Sequence, residues 1–313
     1  MHPVITFIIG VAIGFLVAIV GLGGGTLFVP TLLFVYGFDI HSAVSTSILI
    51  ALFTTSSAYL YYRRKVKINY KLGTLLEVAT IPGGVIGSYF TNIMSKTIIE
   101  FLFATVLSLS ALKLIHEYFS SKRITRTNKP LSKIKKSHLI IGLLGAFLAG
   151  FISGSVGLSG GSIKVPILIL VIGIPERVAI ATSTYMMILT TIANLTVHNI
   201  YGKINYFVGL IMGTGAFIGA QIGGRTNLRL NQRKLRLILG AMLLLISTRV
   251  FLDIFSSCNL VNTNCSTIRS SLLNDIFLKT NKITRKKYEF FEKVIKITKL
   301  VAKLASYTYI SHR

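Results

Sequence analysis

Lys164 stands between Ile163 and Val165, in a stretch that is otherwise apolar from Ser162 to Ile172. An ionisable side chain inside such a run is costly to bury and marks a functional site by default. An ammonium there can hold an anion; the simpler alternative is a lysine that snorkels to an interface. Glu77 is a second charge of this kind, inside the apolar run 72–90. A carboxyl so placed is a candidate proton carrier, or a partner for Lys164 or for a loop cation. Asn194 and His198 are weaker candidates in a third apolar run, with His198 close to its end.

Lys164 belongs to a stretch that occurs twice. Gly157-Leu158-Ser159-Gly160-Gly161-Ser162-Ile163-Lys164-Val165-Pro166 matches Gly21-Leu22-Gly23-Gly24-Gly25-Thr26-Leu27-Phe28-Val29-Pro30, with Phe28 at the place of Lys164. The offset is 136 residues, Gly21 to Gly157, and it holds well beyond the glycines. Gly14 maps to Gly150, Gly37 to Gly173 and Thr46-Ser47 to Thr182-Ser183. Lys67-Ile68-Asn69-Tyr70 maps unchanged to Lys203-Ile204-Asn205-Tyr206. Gly73, Gly83 and Gly87 map to Gly209, Gly219 and Gly223. One ungapped register of this length indicates an internal duplication. Glu77 has no counterpart in it, since Gly213 stands at the matched position.

Glycine clusters and prolines interrupt helices, and paired interruptions in two halves point to a transporter's binding site. A helix broken in mid-membrane frees backbone N–H and C=O groups. Its new N-terminus carries partial positive charge and suits an anion. The candidate substrate-binding set is therefore Gly23, Gly24, Gly25 and Thr26 in the first cluster, with Gly160, Gly161, Ser162 and Lys164 in the second. Thr26 and Ser162 are the expected caps. The hydroxyls of Thr46, Ser47, Thr182 and Ser183 are candidate donors to oxyanion oxygens. The bland alternatives are close helix crossing for the glycines and bonding back to the helix for the hydroxyls. Neither cluster makes a nucleotide site: Thr26 stands where the dinucleotide pattern needs Gly, and no Gly-Lys-Ser/Thr follows. Catalytic triads and metal-ligand spacings are absent, so no enzyme activity, cofactor or metal is expected. Cys258 and Cys265 form no metal-like pair.

These residues need elements to hold them. The 313-residue chain is 52% hydrophobic and only 14% charged, against roughly 25% charged in soluble chains. Apolar runs at 3–20, 26–36, 42–62, 72–90 and 97–118 are followed by runs at 138–156, 162–172, 177–200, 206–224 and 235–252. They do not alternate with period two, so they read as helices, the fold being all-α and polytopic with broken or re-entrant segments. About eight to ten of them span the membrane. The domain reading is a first transmembrane repeat at 1–118, a basic linker at 119–137, a second repeat at 138–254 and a basic tail at 255–313. Within the tail, 286–309 patterns as an amphipathic helix on the cytoplasmic membrane surface.

The net charge of +25 gathers in loops and tail. It therefore reads as orientation signals and contact with anionic headgroups rather than nucleic-acid binding. The loop Arg63-Arg64-Lys65-Val66-Lys67 and the linker are both expected to be cytoplasmic. The charges Arg225, Arg229, Arg233 and Lys234 join them only if the second half is inverted, which needs an odd number of crossings per half. An even number makes the halves parallel, and charge alone does not choose between the two.

Taken together, Gly21–Pro30, Gly37, Ala43-x-x-Thr46-Ser47, Lys67–Tyr70, Pro82-Gly83-Gly84-x-x-Gly87 and their second-half counterparts resemble the TauE/SafE family of sulfite exporters. The resemblance covers residues 3–253; Ser159 departs from it at one cluster glycine, and the tail lies outside it. It implies an integral transporter of sulfite, sulfonates or related sulfur anions in the cell membrane, the bacterial inner membrane, with proton coupling as a further implication. The expected function is thus a cofactor-free carrier of a small anion by alternating access of two repeats. The rivals are a carrier of a cation or neutral solute bound by unwound carbonyls, and a non-transporting scaffold or receptor acting through the basic tail.

Overall fold

The computed structural model describes residues 2–20, 25–119, 136–158, 160–227 and 232–261. These form helices with no strand among them: α1 (Pro3–Val20), α2 (Gly25–Phe34), α3 (Ile40–Lys65), α4 (Tyr70–Ile93), α5 (Lys96–Phe119), α6 (Lys136–Val156), α7 (Gly161–Pro166), α8 (Glu176–Tyr201), α9 (Tyr206–Asn227) and α10 (Gln232–Val261). Four of them, within Ile40–Lys65, His138–Val156, Arg177–Tyr201 and Tyr206–Thr226, are long and apolar enough to cross a membrane. Pro3–Ile19 and Gly25–Phe34 are shorter apolar helices. The protein is an all-α polytopic membrane protein.

Local chemistry sets the helix ends. Asp39 caps α3, accepting from Ser42 N at 3.2 Å, and the helix ends in Arg63, Arg64 and Lys65, where its dipole favours cations. Asn69 and Asn205 cap α4 and α9 in the same way, accepting from Leu72 N at 3.2 Å and Val208 N at 3.1 Å. The short α7 passes into a π-helical segment, Ile167–Ile172. Pro166 supplies no N–H and crowds the carbonyl one turn back, and the wider turn accommodates it.

Glycine-lined crossings hold the bundle together. Gly10 and Gly14 of α1 lie against the backbone of Met212 and Ala216 of α9, and Gly219 and Gly223 lie against Val11 and Phe15. Gly83 and Gly87 of α4 meet Phe147 and Phe151 of α6 in the same manner, while Gly150 and Gly154 meet Thr80 and Gly84. Small residues let the backbones touch, as the spacing of Gly10 and Gly14 leads one to expect. In both crossings the numbers rise together, so each pair is parallel.

By contrast, α3 and α8 run antiparallel. Thr46 Oγ1 accepts from Asn205 N at 3.0 Å, just past the end of α8. Thr182 Oγ1, near the start of α8, accepts from Asn69 N at 3.1 Å, just past the end of α3. The choice that charge left open is thereby made. Since α9 begins where α8 ends, it finishes, with Arg225, on the face that carries Arg63. The α1–α2 hairpin returns to its starting side, where Tyr36 Oη donates to Thr6 Oγ1 at 2.9 Å. The hairpin adds an even number of passes to those of α3, α4 and α5, so each half makes an odd number and the halves are inverted. Phe101 early in α5 packs edge-on against Phe251 late in α10, with centroids 5.8 Å apart, so this pair is antiparallel too. α10 accordingly ends on the face opposite Arg63. The amphipathic stretch 286–309 and most of the linker lie outside the described residues.

Candidate functional site

The break after α6 is the centre of the polar interior. Gly157 and Gly160 adopt φ of 74° and 73°, a left-handed conformation that costs glycine little. The carbonyls freed at the end of α6 are taken up by side chains from three other helices. Thr91 Oγ1 of α4 lies 3.2 Å from Gly154 O and 3.0 Å from Ser155 O. Ser47 Oγ of α3 donates to Gly157 O at 3.1 Å. His198 Nε2 of α8 lies 3.2 Å from Gly154 O, and Ser153 within α6 donates to Leu158 O. In lipid each such group left unsatisfied costs several kcal/mol. Gly25, the first residue of α2, packs directly on Gly157 and Leu158, so that a methyl group there would overlap the Gly157 carbonyl. The two helix breaks therefore meet.

One turn beyond Gly160, Lys164 turns inward. Its Nζ lies 2.8 Å from Glu77 Oε1 of α4 and 2.5 Å from Thr190 Oγ1 of α8. Thr190 Oγ1 in turn lies 2.7 Å from Glu77 Oε2 and 3.0 Å from Met186 O. Ammonium, carboxylate and hydroxyl close a ring, with Lys164 only 2% and Glu77 1% exposed. The pair is neutral as a unit. Removing one partner of such a pair costs about 3–5 kcal/mol, because the other charge stays buried alone.

The ring continues as a polar stripe along α8. Thr190, Asn194 and His198 follow at one-turn spacing, all buried. With its amide nitrogen set by the hydrogen-bond network, Asn194 donates to Gly84 O at 3.2 Å and Thr190 O at 3.3 Å. His198 Nδ1 lies 2.9 Å from Ser45 Oγ of α3. Ser88 Oγ, against Gly154, is buried without a hydrogen-bond partner among the described residues. Past the end of α8 opens a pocket of about 560 Å³, lined by Asp39, Ser42, Lys203, Asn205 and their neighbours. Toward the other face the ring is followed by tyrosines. Thr74, one turn before Glu77, bonds Tyr185 Oη at 3.1 Å. Tyr70 packs edge-on against Tyr185 and bonds Tyr59 Oη at 3.3 Å, and Arg63 sits 5.9 Å above the Tyr59 ring.

The structure gathers some of the sequence-predicted residues and separates others. Gly25, Ser47, Gly160 and Gly161 are gathered at the breaks, and Lys164 and Glu77 are joined directly. Thr46 and Thr182 are at opposite ends of the α3–α8 pair, bracing the loops before α9 and α4, and Ser183 bonds back to Ile180 O at 2.8 Å. Gly23 and Gly24 lie outside the described residues, as does the side chain of Ser162. The expected caps differ. Gly160 occupies the N-cap position of α7, Ser162 is already inside the helix, and Thr26 is buried in the first turn of α2. Asn194 and His198, read as marginal, are fully enclosed. Thr190, Ser153 and Ser45 were missed; the one available signal was the one-turn spacing of Thr190, Asn194 and His198 in an otherwise apolar helix.

Comparison with known proteins bears on this arrangement. Residues 6–250 match the family described as sulfite exporter TauE/SafE. The chain is 27% identical to the probable membrane transporter protein YunE of Bacillus subtilis over 274 residues, covering 82% of this chain and 100% of the relative. It is 26% identical to a probable membrane transporter protein of Methanocaldococcus jannaschii, over 75% of this chain and 90% of that one. A probable membrane transporter protein of Haemophilus influenzae is 31% identical over 61% of this chain and 70% of its own. No solved structure matches.

Proposed function

Since this chain belongs to the sulfite exporter TauE/SafE family and is a membrane transporter, we propose that it carries a small anion, a sulfur oxyanion such as sulfite or an organosulfonate, through the cell membrane, the inner membrane of a bacterium. The observation that carries this reading is Lys164, a buried ammonium beside the junction of the two helix breaks. A solute reaching that junction meets a fixed cation with hydroxyl and amide donors around it and no bulk water to screen them.

Transport follows from alternating access. The pocket at Asp39 and Lys203 is the vestibule on one face. The stripe Ser45–His198–Asn194–Thr190 is the route inward, closed in this conformation because every member is buried. The tyrosines at 59, 70 and 185 seal the other face. Rocking of the halves opens one seal as the other closes. The basic loop at Arg63–Lys65 contacts anionic headgroups of the cytoplasmic leaflet.

Flux into proteoliposomes of the purified full chain tests this. Sulfite, sulfate, thiosulfate and a small sulfonate are compared with a monovalent cation and an uncharged solute. Saturable flux of one anion class is expected. Saturable flux of the cation or the neutral solute alone overturns the anion reading.

A further inference from the structure

Building on the anion site at Lys164, we infer that Glu77 is the resident stand-in for the substrate, and that the site takes a monoanion with two acceptor oxygens, which enters together with one proton. Glu77 does not merely neutralise Lys164. Its two oxygens take separate donors, Oε1 the ammonium at 2.8 Å and Oε2 the Thr190 hydroxyl at 2.7 Å. Lys164 and Thr190 thus form a two-pronged seat, and the group filling it is a planar carboxylate. A sulfonate, hydrogensulfite or carboxylate reproduces both contacts. A halide offers one acceptor centre where the seat holds two acceptor atoms, and so does not reproduce the two separate contacts.

An anion cannot join the pair while Glu77 is ionised, since one ammonium would then face two negative charges in a medium that screens little. Protonation removes the conflict. The carboxylate accepts a proton, the neutral acid gives up the ammonium, and the anion takes its place. Before and after, the buried site is uncharged, so one anion and one proton arrive together. The surroundings leave Glu77 free to titrate against Lys164 alone. Among the described residues, Lys164 of α7 is the charged group facing it. Tyr185 of α8 reaches it only through Thr74, and His198 lies two turns beyond Thr190 with both ring nitrogens engaged. The matched position in the other half is Gly213, which has no side chain to play this part.

The test measures binding to the full chain in nanodiscs across a pH series. Methanesulfonate keeps a single charge throughout and serves as the two-oxygen probe, with chloride as the halide. The wild type should bind methanesulfonate with a Kd that falls about tenfold per pH unit as pH is lowered, while Glu77 is ionised in the empty protein. Chloride should bind far more weakly at every pH. Glu77→Gln, a neutral mimic of the protonated acid, should bind methanesulfonate with a Kd independent of pH. A wild-type Kd independent of pH overturns the proton linkage without any variant. So does a pH slope that survives in Glu77→Gln. Chloride binding as tightly as methanesulfonate overturns the two-oxygen seat. Absence of binding for every anion in folded wild type overturns the parent reading, a result distinct from binding that ignores pH.

Discussion

At the first helix break the position matched to Lys164 is Phe28, which is wholly buried. The contrast extends through the surroundings. Where the second break has Glu77, the first has Gly213, lying against the ring of Phe53. Thr190 is matched by Thr54, which bonds back to Ile50 O at 3.0 Å. Asn194 is matched by Ala58, His198 by Tyr62 and Ser153 by Val17, so the corresponding shell is apolar apart from two hydroxyls. Other matched positions do the same work on both sides. Thr46 and Thr182 each take an asparagine N–H from the opposite half, Asn69 and Asn205 each cap a helix, and Gly83, Gly87, Gly219 and Gly223 line the crossings. What the two stretches share builds the inverted scaffold. What they do not share forms the buried Lys164–Glu77–Thr190 ring and the polar stripe beside it, and these have no counterpart at the other break.

This comparison breaks first at Lys164. Lys164→Ala should abolish anion flux and lower stability by about 3–5 kcal/mol, because the Glu77 carboxylate remains buried without its counter-ion. Denaturant unfolding in detergent measures the second effect. Loss of flux with unchanged stability would mean that the pair does not form as described.

Next in size are the glycines. Gly157→Ala should cost about 2–4 kcal/mol, from the left-handed backbone and from crowding Ser47 and Val44. Gly37→Ala has a similar φ of 66° but open space around it, so about 1–2 kcal/mol is expected. Equal losses at the two would show that the break is not the tighter place.

The shared brace should respond symmetrically. Thr46→Val and Thr182→Val each leave one asparagine N–H unpaired, at about 1–3 kcal/mol. A large difference between the two would argue that one threonine also serves the solute. Smallest of all, Phe28→Leu should cost about 1 kcal/mol and leave flux at the wild-type level. A flux defect there would place the route on both sides.

Much of the architecture was legible in the chain. Apolar runs bounded by glycine and charge gave each helix to within a few residues at most ends, α10 being the longest departure. The one-turn spacing of Gly10 and Gly14 suits the α1–α9 crossing. Lys164 and Glu77 were each visible as a charge in apolar sequence, but their pairing joins residues 87 positions apart, and nothing local encodes that. Thr190, Asn194 and His198 were obscured for a different reason. A lone polar residue in a membrane helix can always bond back to its own turn, so only the tertiary partners distinguish a site from a helix that is merely polar in places. Inversion of the halves could not be read from charge, because basic residues occur in loops whose sides depend on the crossing number. Two hydrogen bonds, Thr46 to Asn205 and Thr182 to Asn69, decide it.

The central claim is that the buried cation of the second half is the anion's seat. Its most direct test is sulfite flux through the double variant Lys164→Met/Glu77→Gln in proteoliposomes. Removing both charges leaves no buried ion alone, and such replacements are often neutral or stabilising, so the variant should keep or exceed the wild-type unfolding midpoint. With the fold intact, sulfite flux should fall to the level of protein-free vesicles. Wild-type flux in the folded double variant would contradict the account, for the anion would then be crossing without Lys164.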